Sequence, residues 1–253
     1  MNALVDGVDL TNSNPILRPV VTLGYAQTLD GRLATSTGSS RWISAPQSLR
    51  FAHELRAEHD AILVGAGTVR TDDPRLTVRL VAGQNPLRVV VDSALRTPLS
   101  AAVLTEGSAP GTVLAVTDRA SAAKRDRVRA LGATVVCLPA DREGRVSLIA
   151  LLTALHERGV GSVLVEGGAE MITALLRARL VDRLVVCVAP KILGSGIEAV
   201  GDLGISELVR TLIVADAAVT PYGADLVLDG RVEYPVAPTM TVESEERVGC
   251  ATA

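Results

Sequence analysis

Strand-like apolar runs alternate with helical patterns along this chain, and that alternation limits its fold more than any other feature. The runs predict strands at 20–26, 61–64, 87–92, 112–116, 134–138, 162–165 and 183–188. Between them, helical spacing predicts helices at 46–58, 121–131, 148–157 and 169–177. Pro46 suits the first turn of its helix, with Ser44 or Ala45 ahead of it. Gly132 and Gly159 stand where a C-terminal glycine cap belongs. Strand–helix–strand alternation of this kind reads as α/β layers with a largely parallel sheet. Two further runs, at 211–214 and 224–228, have no helix between them and predict an antiparallel hairpin turning through Thr220–Gly223. With no internal repeat and no long linker, residues 19–235 are expected to form one domain. Residues 1–18 and 236–253 lack periodicity and are expected to be an arm and a tail.

Composition removes several function classes. The chain has 253 residues, 48% of them hydrophobic and 21% charged, with a formal net charge of -3. That balance is globular, and it gives no electrostatic reason to expect a nucleic acid or an anionic membrane as partner. Its three cysteines, Cys137, Cys187 and Cys250, lack CxxC spacing, and its three histidines are scattered. Neither a disulfide framework nor a metal site is expected. No basic segment opens the chain as in a signal peptide, and no apolar run approaches the ~20 residues that span a bilayer. A soluble cytoplasmic protein is expected.

Ligands of open α/β sheets collect at the carboxyl ends of strands, where helix N-termini point into the crevice. Three junctions of this kind carry glycine and polar residues: Gly65-Ala66-Gly67-Thr68, Asp92-Ser93, and Glu166-Gly167-Gly168-Ala169-Glu170. The paired glycines of the last let backbone N–H groups approach a phosphate at a helix start. Each junction alone could be a plain turn, but three in one sheet point to a nucleotide site. Residues 24–80 are also dense in polar groups: Asp30-Gly31, Gly38 to Ser40, Arg56, Asp72-Asp73-Pro74 and Arg79. Trp42, the single tryptophan, lies in a Gly/Ser-rich loop and suits a flat wall against an aromatic ring.

Together these residues resemble a family, the reductase domain of the riboflavin-biosynthesis deaminase/reductase proteins. The resemblance covers about residues 18–230. It rests on Leu29-Asp30-Gly31, Ser40-x-Trp42-Ile43, Leu55-Arg56-Ala57, Thr68-x-x-x-Asp72-Asp73-Pro74-x-Leu76-Thr77-x-Arg79, Val91-Asp92-Ser93, Val165-Glu166-Gly167-Gly168 and Ala189-Pro190-Lys191, in that order. It implies a dihydrofolate-reductase-like three-layer α/β/α fold with a mainly parallel mixed central sheet. It also implies hydride transfer from NADPH to a small pyrimidine, and a homodimer. The family's dinucleotide contacts map to Ala26, Trp42, Thr68, Asp72, Ser93 and the Gly167–Ala174 segment, which includes Ala169, Glu170 and Met171; Gly65 joins them from its junction. Substrate contacts map to Ser40, Arg56, Leu76, Arg79 and Glu166. The guanidinium forks of Arg56 and Arg79 suit a phosphate or carboxylate.

The chain departs from the family in places. Gly24 stands where a lysine is common, Gln27 where a small residue is common, and Thr28 where serine is usual. No H-x-E or P-C-x-x-C signature is present, so a zinc deaminase is not expected. No carboxylate lies between Trp42 and His53, where dihydrofolate reductases carry one, and Gln47 is near that place. The preferred substrate is 5-amino-6-(5-phosphoribosylamino)uracil. A pteridine such as dihydrofolate is the alternative, and a catalytically idle nucleotide-binding protein a third reading. Asp30 and Glu166 are the titratable candidates for proton transfer, beside a bound water.

Overall fold

Valine-rich runs of five residues recur because a parallel strand is covered on both faces and needs no polar side. The computed structural model describes residues 17–40, 43–105 and 107–235. In chain order it contains β1 (Val20–Thr28), β2 (Arg32–Thr35), α1 (Pro46–Glu58), β3 (Ala61–Gly65), α2 (Ala66–Asp72), β4 (Leu87–Val91), β5 (Thr112–Val116), α3 (Ala122–Ala130), β6 (Thr134–Cys137), α4 (Leu148–His156), β7 (Ser162–Glu166), α5 (Ala169–Arg177), β8 (Arg183–Ala189), β9 (Gly196–Glu198), β10 (Ile213–Tyr222) and β11 (Asp225–Glu233). Nine strands form one sheet in the order β10-β11-β8-β1-β7-β3-β4-β5-β6. The seven from β8 to β6 run parallel, and the β10–β11 hairpin closes one edge antiparallel.

Alternate residues of each strand feed opposite faces. Ala61 and Leu63 of β3, level with Val163 and Val165 of β7, pack with Leu151, Leu155, Ile172 and Leu175 of α4 and α5. Ile62, level with Leu164, faces the other way, where Val69 of α2 and Val128 of α3 cover Val64, Val90 and Leu114. Leu55 of α1 packs on Leu164, Val185 and Val227. The result is the three-layer α/β/α arrangement that the motifs imply.

Some local expectations are corrected. Residues 66–72 form α2, although the glycines at 65 and 67 read as a loop, because burying Ala66 and Val69 repays about two short helical turns. The pair β2 and β9 forms a separate two-stranded sheet too short for a periodic signal. Strand β10 runs through Ala215–Thr220, a stretch without strand-like sequence, by means of a bulge in which Asp216 takes φ 53°. Its hairpin turns on Gly223 at φ 67°, with Pro221 and Tyr222 still in the strand. Gly132 and Gly159 do cap α3 and α4, at φ 96° and 83°.

The start of α1 is capped from a distance. Ala45 offers no side-chain cap, and the orphan donors of a helix N-terminus need an acceptor. Asp225, 2% exposed, supplies it. Its Oδ2 accepts from the Ala45 N–H at 2.6 Å and from Ser48 Oγ at 2.7 Å. The helix that carries Arg56 is thereby fastened to the hairpin edge. Asp225→Ala is expected to lower stability by about 2 kcal/mol, the upper range for loss of a helix cap, measured by urea unfolding; an unchanged midpoint would contradict the capping role.

Candidate functional site

The chain order reverses across the sheet between β7 and β3. From β3 it steps outward through β4 and β5 to β6, while β1 and β8 lie on the other side of β7. Such a switch point leaves a crevice at the strands' carboxyl ends. A cleft of about 890 Å³ occupies it here, lined from Gly24 and Cys187 at one end to Ser93, Arg119 and Arg145 at the other.

At the β1–β7 end, Arg56 of α1 meets Glu166 at the last position of β7. Nε and Nη2 of Arg56 donate to Oε1 and Oε2 of Glu166 at 2.5 and 2.6 Å, and Nη1 donates to the Thr77 carbonyl at 3.2 Å. The side chains are only 13% and 23% exposed. Burial works against the guanidinium's charge, yet the facing carboxylate outweighs it and leaves the Arg56 pKa raised. This pairing corrects the expectation of an open fork: Arg56 spends its bidentate face on Glu166. Glu166 in turn is committed as an acceptor.

Gly24 lies level with Glu166 in the β1–β7 register. A Cβ there would stand 3.1 Å from Leu164 Cδ1 and 4.0 Å from Leu55 Cδ1, so the position is small because the core beneath it is close. Tyr25 also lines the cleft, and burial pushes its phenol up to about 12. Its apolar strand context gave no sign that it lines a cleft.

Midway along the cleft, Gly167 and Gly168 take φ 69° and 87° and lead into α5, whose N-terminus has no side-chain cap. The free N–H groups of this first turn, with the helix dipole behind them, suit a phosphate. Thr68 closes the same place from α2: a Cβ on Gly168 would lie 3.2 Å from its Oγ1. Gly65 is small beside Met171, whose Cε would be 3.9 Å from an added Cβ. Ala26, Ser40, Asp72, Ser93, Ala169 and Glu170 line the cleft as well.

Three sequence candidates lie outside that lining. Leu76 is 1% exposed, packed in the core at φ 53°. Arg79 turns its Nη1 back to Thr77 Oγ1 at 2.6 Å. Asp30 accepts from Thr28 Oγ1 at 2.6 Å and from the Leu193 and Gly194 amides, and these bonds hold its carboxyl down at about 2. It fastens the loop after β8 and makes a poor proton donor near neutrality. Trp42 lies outside the described residues.

His53, one helical turn before Arg56, holds the loop that Arg56 touches: its Nδ1 accepts the Arg79 N–H at 2.9 Å. Burial first, then the Arg56 and Arg79 charges, push its pKa from 6.5 down to about 4. The unfolded chain thus takes up this proton near pH 6.5 and the folded chain only near 4. Stability attributable to neutral His53 is expected to be complete above pH 6.5 and to fall as pH drops toward 4. A ring-proton titration by NMR checks this; a midpoint near 6.5 in the folded protein would contradict it.

The chain can now be set beside known proteins. A family model described as the RibD C-terminal domain matches residues 19–228. The chain belongs to that family. It is 42% identical over 212 residues to the riboflavin biosynthesis protein RibD of Aquifex aeolicus (strain VF5), covering 83% of this chain and 57% of that protein. It is 41% identical over 219 residues to the 2,5-diamino-6-ribosylamino-4(3H)-pyrimidinone 5′-phosphate reductase of Methanothermobacter thermautotrophicus, covering 81% of this chain and 98% of that one. Among solved structures, Acinetobacter baumannii RibD superposes with a TM-score of 0.74 at 26% identity, over 85% of this chain and 58% of that one. The chain thus spans little more than half of the two RibD proteins and nearly all of the Methanothermobacter reductase. The stretch matched by the RibD C-terminal domain model includes the Glu166-Gly167-Gly168 turn that lines the cleft.

Proposed function

We propose that this chain is an NADPH-dependent reductase of a 5-amino-6-(phosphoribosylamino)pyrimidine, with 5-amino-6-(5-phosphoribosylamino)uracil as preferred substrate, acting in riboflavin biosynthesis. The observation that carries this reading is the single cleft that joins an uncapped glycine-led helix start to the Arg56–Glu166 pair. When bound, NADPH would supply a hydride to C1′ of the ring-opened ribosylimine, giving a ribitylamino product. The chain's own part is placement. The Gly167–Gly168 turn and α5 would hold a pyrophosphate, and Thr68 would fix its approach. With Arg56 and Glu166 bound to each other, the second N–H of each Arg56 Nη and the remaining carboxylate lone pairs of Glu166 are what the pair would offer to the mixed donor and acceptor edge of an aminopyrimidine. Gly24 and Tyr25 line the wall between these ends. The proton that completes the imine nitrogen would come from solvent, since Asp30 is outside the cleft and Glu166 is engaged.

A second reading has one observation in its favour. The Methanothermobacter relative, matched over 98% of its length, is named for a substrate that carries a 2-amino group. A carboxylate such as Glu166 can accept from that amino group, whereas the uracil offers a carbonyl. Offering both pyrimidines and dihydrofolate side by side with NADPH tests the reading. Consumption of NADPH with a pyrimidine, and none with dihydrofolate, is the expected result. Turnover of dihydrofolate alone would overturn it.

A further inference from the structure

A second cavity, of about 590 Å³, lies at the amino ends of β4 and β5 and shares no lining residue with the cleft. Arg88, the second residue of β4, lines it, level with Ile62 of β3 and Thr112 of β5. Val91, three positions further on, already lines the cleft, so the two lie about 10 Å apart along the strand. Arg88 is 6% exposed, yet it pairs with no carboxylate among the described residues. Its Nε donates to Thr112 Oγ1 at 3.0 Å and its Nη2 to the Ser108 carbonyl. Gly111 leaves room for the guanidinium, since an added Cβ would stand 2.5 Å from Nη2. Nη1 has no hydrogen-bond partner among the described residues and is not sealed from solvent. Burial holds the Arg88 pKa below the usual arginine value, and a buried cation is costly until a counter-charge meets it.

The other polar side chains of the lining have donors to spare. Asn85 Oδ1 accepts from the Val78 N–H at 2.8 Å, which leaves its NH2 group to donate. Thr77 Oγ1 accepts from Arg79 Nη1 at 2.6 Å, which leaves its O–H. Ser108 Oγ makes no hydrogen bond among the described residues. Arg75 is the other cation of the lining, which among the described residues contains no Asp or Glu. Donors around a buried guanidinium, with no acid beside them, select an oxyanion. The cavity also reaches the cleft through one residue, because the Thr77 carbonyl accepts from Arg56 Nη1 at 3.2 Å.

We propose that this cavity binds a phosphate group, as inorganic phosphate or as a phosphate monoester, and that its occupant fastens the loop between α2 and β4 to the amino end of the sheet. That loop supplies Arg75, Thr77 and Asn85, whereas Arg88 belongs to β4 and Ser108 to the turn before β5. One anion accepting from Arg88 Nη1, Ser108 and the loop side chains would tie the two sets together and supply the counter-charge that Arg88 lacks. The site lies outside the cleft and requires nothing of a substrate or a dinucleotide, so it stands apart from the reductase reading.

The test is NMR titration of the full chain at constant ionic strength, with no turnover involved. Inorganic phosphate and glycerol 3-phosphate are added separately, with chloride as control. The amide signals of Gly107, Ser108 and Gly111 are expected to move along one saturable curve, and exchange of the Val78 amide to slow as the site fills. Equal affinity for the two ligands would assign the site to free phosphate, and tighter binding of glycerol 3-phosphate to a monoester. Arg88→Met is expected to abolish the response. It also removes the bonds to Thr112 and Ser108, so its fold is checked by thermal midpoint. Ser108→Ala removes no internal hydrogen bond and is expected to weaken phosphate binding by about tenfold. A response that is linear, equal to that of chloride, confined to Gly167 and Gly168, or undiminished in both variants overturns the site. Saturable binding with unchanged exchange at Val78 overturns the fastening of the loop.

Discussion

Glu166→Gln is expected to lower the stability of this protein by about 2 kcal/mol and its kcat/KM for the pyrimidine at least a hundredfold. The stability loss follows from what remains. Arg56 of α1 lies largely covered against the end of β7, and the amide would take away the charge that its Nε and Nη2 address at 2.5 and 2.6 Å. Breaking a fully buried pair costs about 3–5 kcal/mol; exposures of 13% and 23% bring this one below that range. The activity loss follows from position, because the same pair would orient the pyrimidine where hydride arrives, and small misplacements there are costly. Arg56→Met should be as damaging. The double variant Arg56→Met/Glu166→Gln should be more stable than the sum of the two losses, by about 1–3 kcal/mol of coupling, in urea unfolding. Simple additivity would mean that the two side chains do not depend on each other.

Gly168→Val is expected to raise the KM for NADPH at least thirtyfold. At φ 87° and ψ 113° the residue occupies a region that L side chains rarely adopt, with a strain of about 1–3 kcal/mol. The new side chain would also press on Thr68, since its Cβ alone falls 3.2 Å from Oγ1. Both effects fall on the helix start that would take the pyrophosphate. Gly159→Val is the matched control. It has φ 83° and an added Cβ there meets nothing within 4 Å, but it caps α4 away from the cleft. It should lose stability and keep its affinity for NADPH. If both variants lose that affinity alike, general destabilisation is the cause and the cradle is not at Gly168.

The layered fold was legible because its signal is local. Buried parallel strands such as Ala61–Gly65 and Ser162–Glu166 are continuous apolar runs, and Gly132 and Gly159 mark helix ends by backbone geometry alone. What escaped the sequence is non-local or too short. Asp225 caps a helix by binding Ala45, 180 positions before it, and nothing near Ala45 announces it. The three residues of β9 cannot show a period.

The candidate site divides the same way. The Glu166-Gly167-Gly168 turn and Arg56 were readable as motifs, and the cleft brings them together. Their mutual pairing was not readable, because 110 residues separate Arg56 from Glu166. The direction of single side chains was not readable either. Leu76, Arg79 and Asp30 sit within polar stretches, yet one points into the core, one back onto Thr77 and one onto the loop after β8. Sequence neighbours differ in direction, and direction decides which of them face a ligand.

Transfer of deuterium from NADPH labelled at nicotinamide C4 to the phosphoribosylaminopyrimidine tests the central claim most directly. One deuterium at C1′ of a ribitylamino product, read by NMR and mass spectrometry, is the result this account predicts. Retention of the label on the nicotinamide with both the uracil and the diaminopyrimidinone, in protein that binds NADPH, would contradict it.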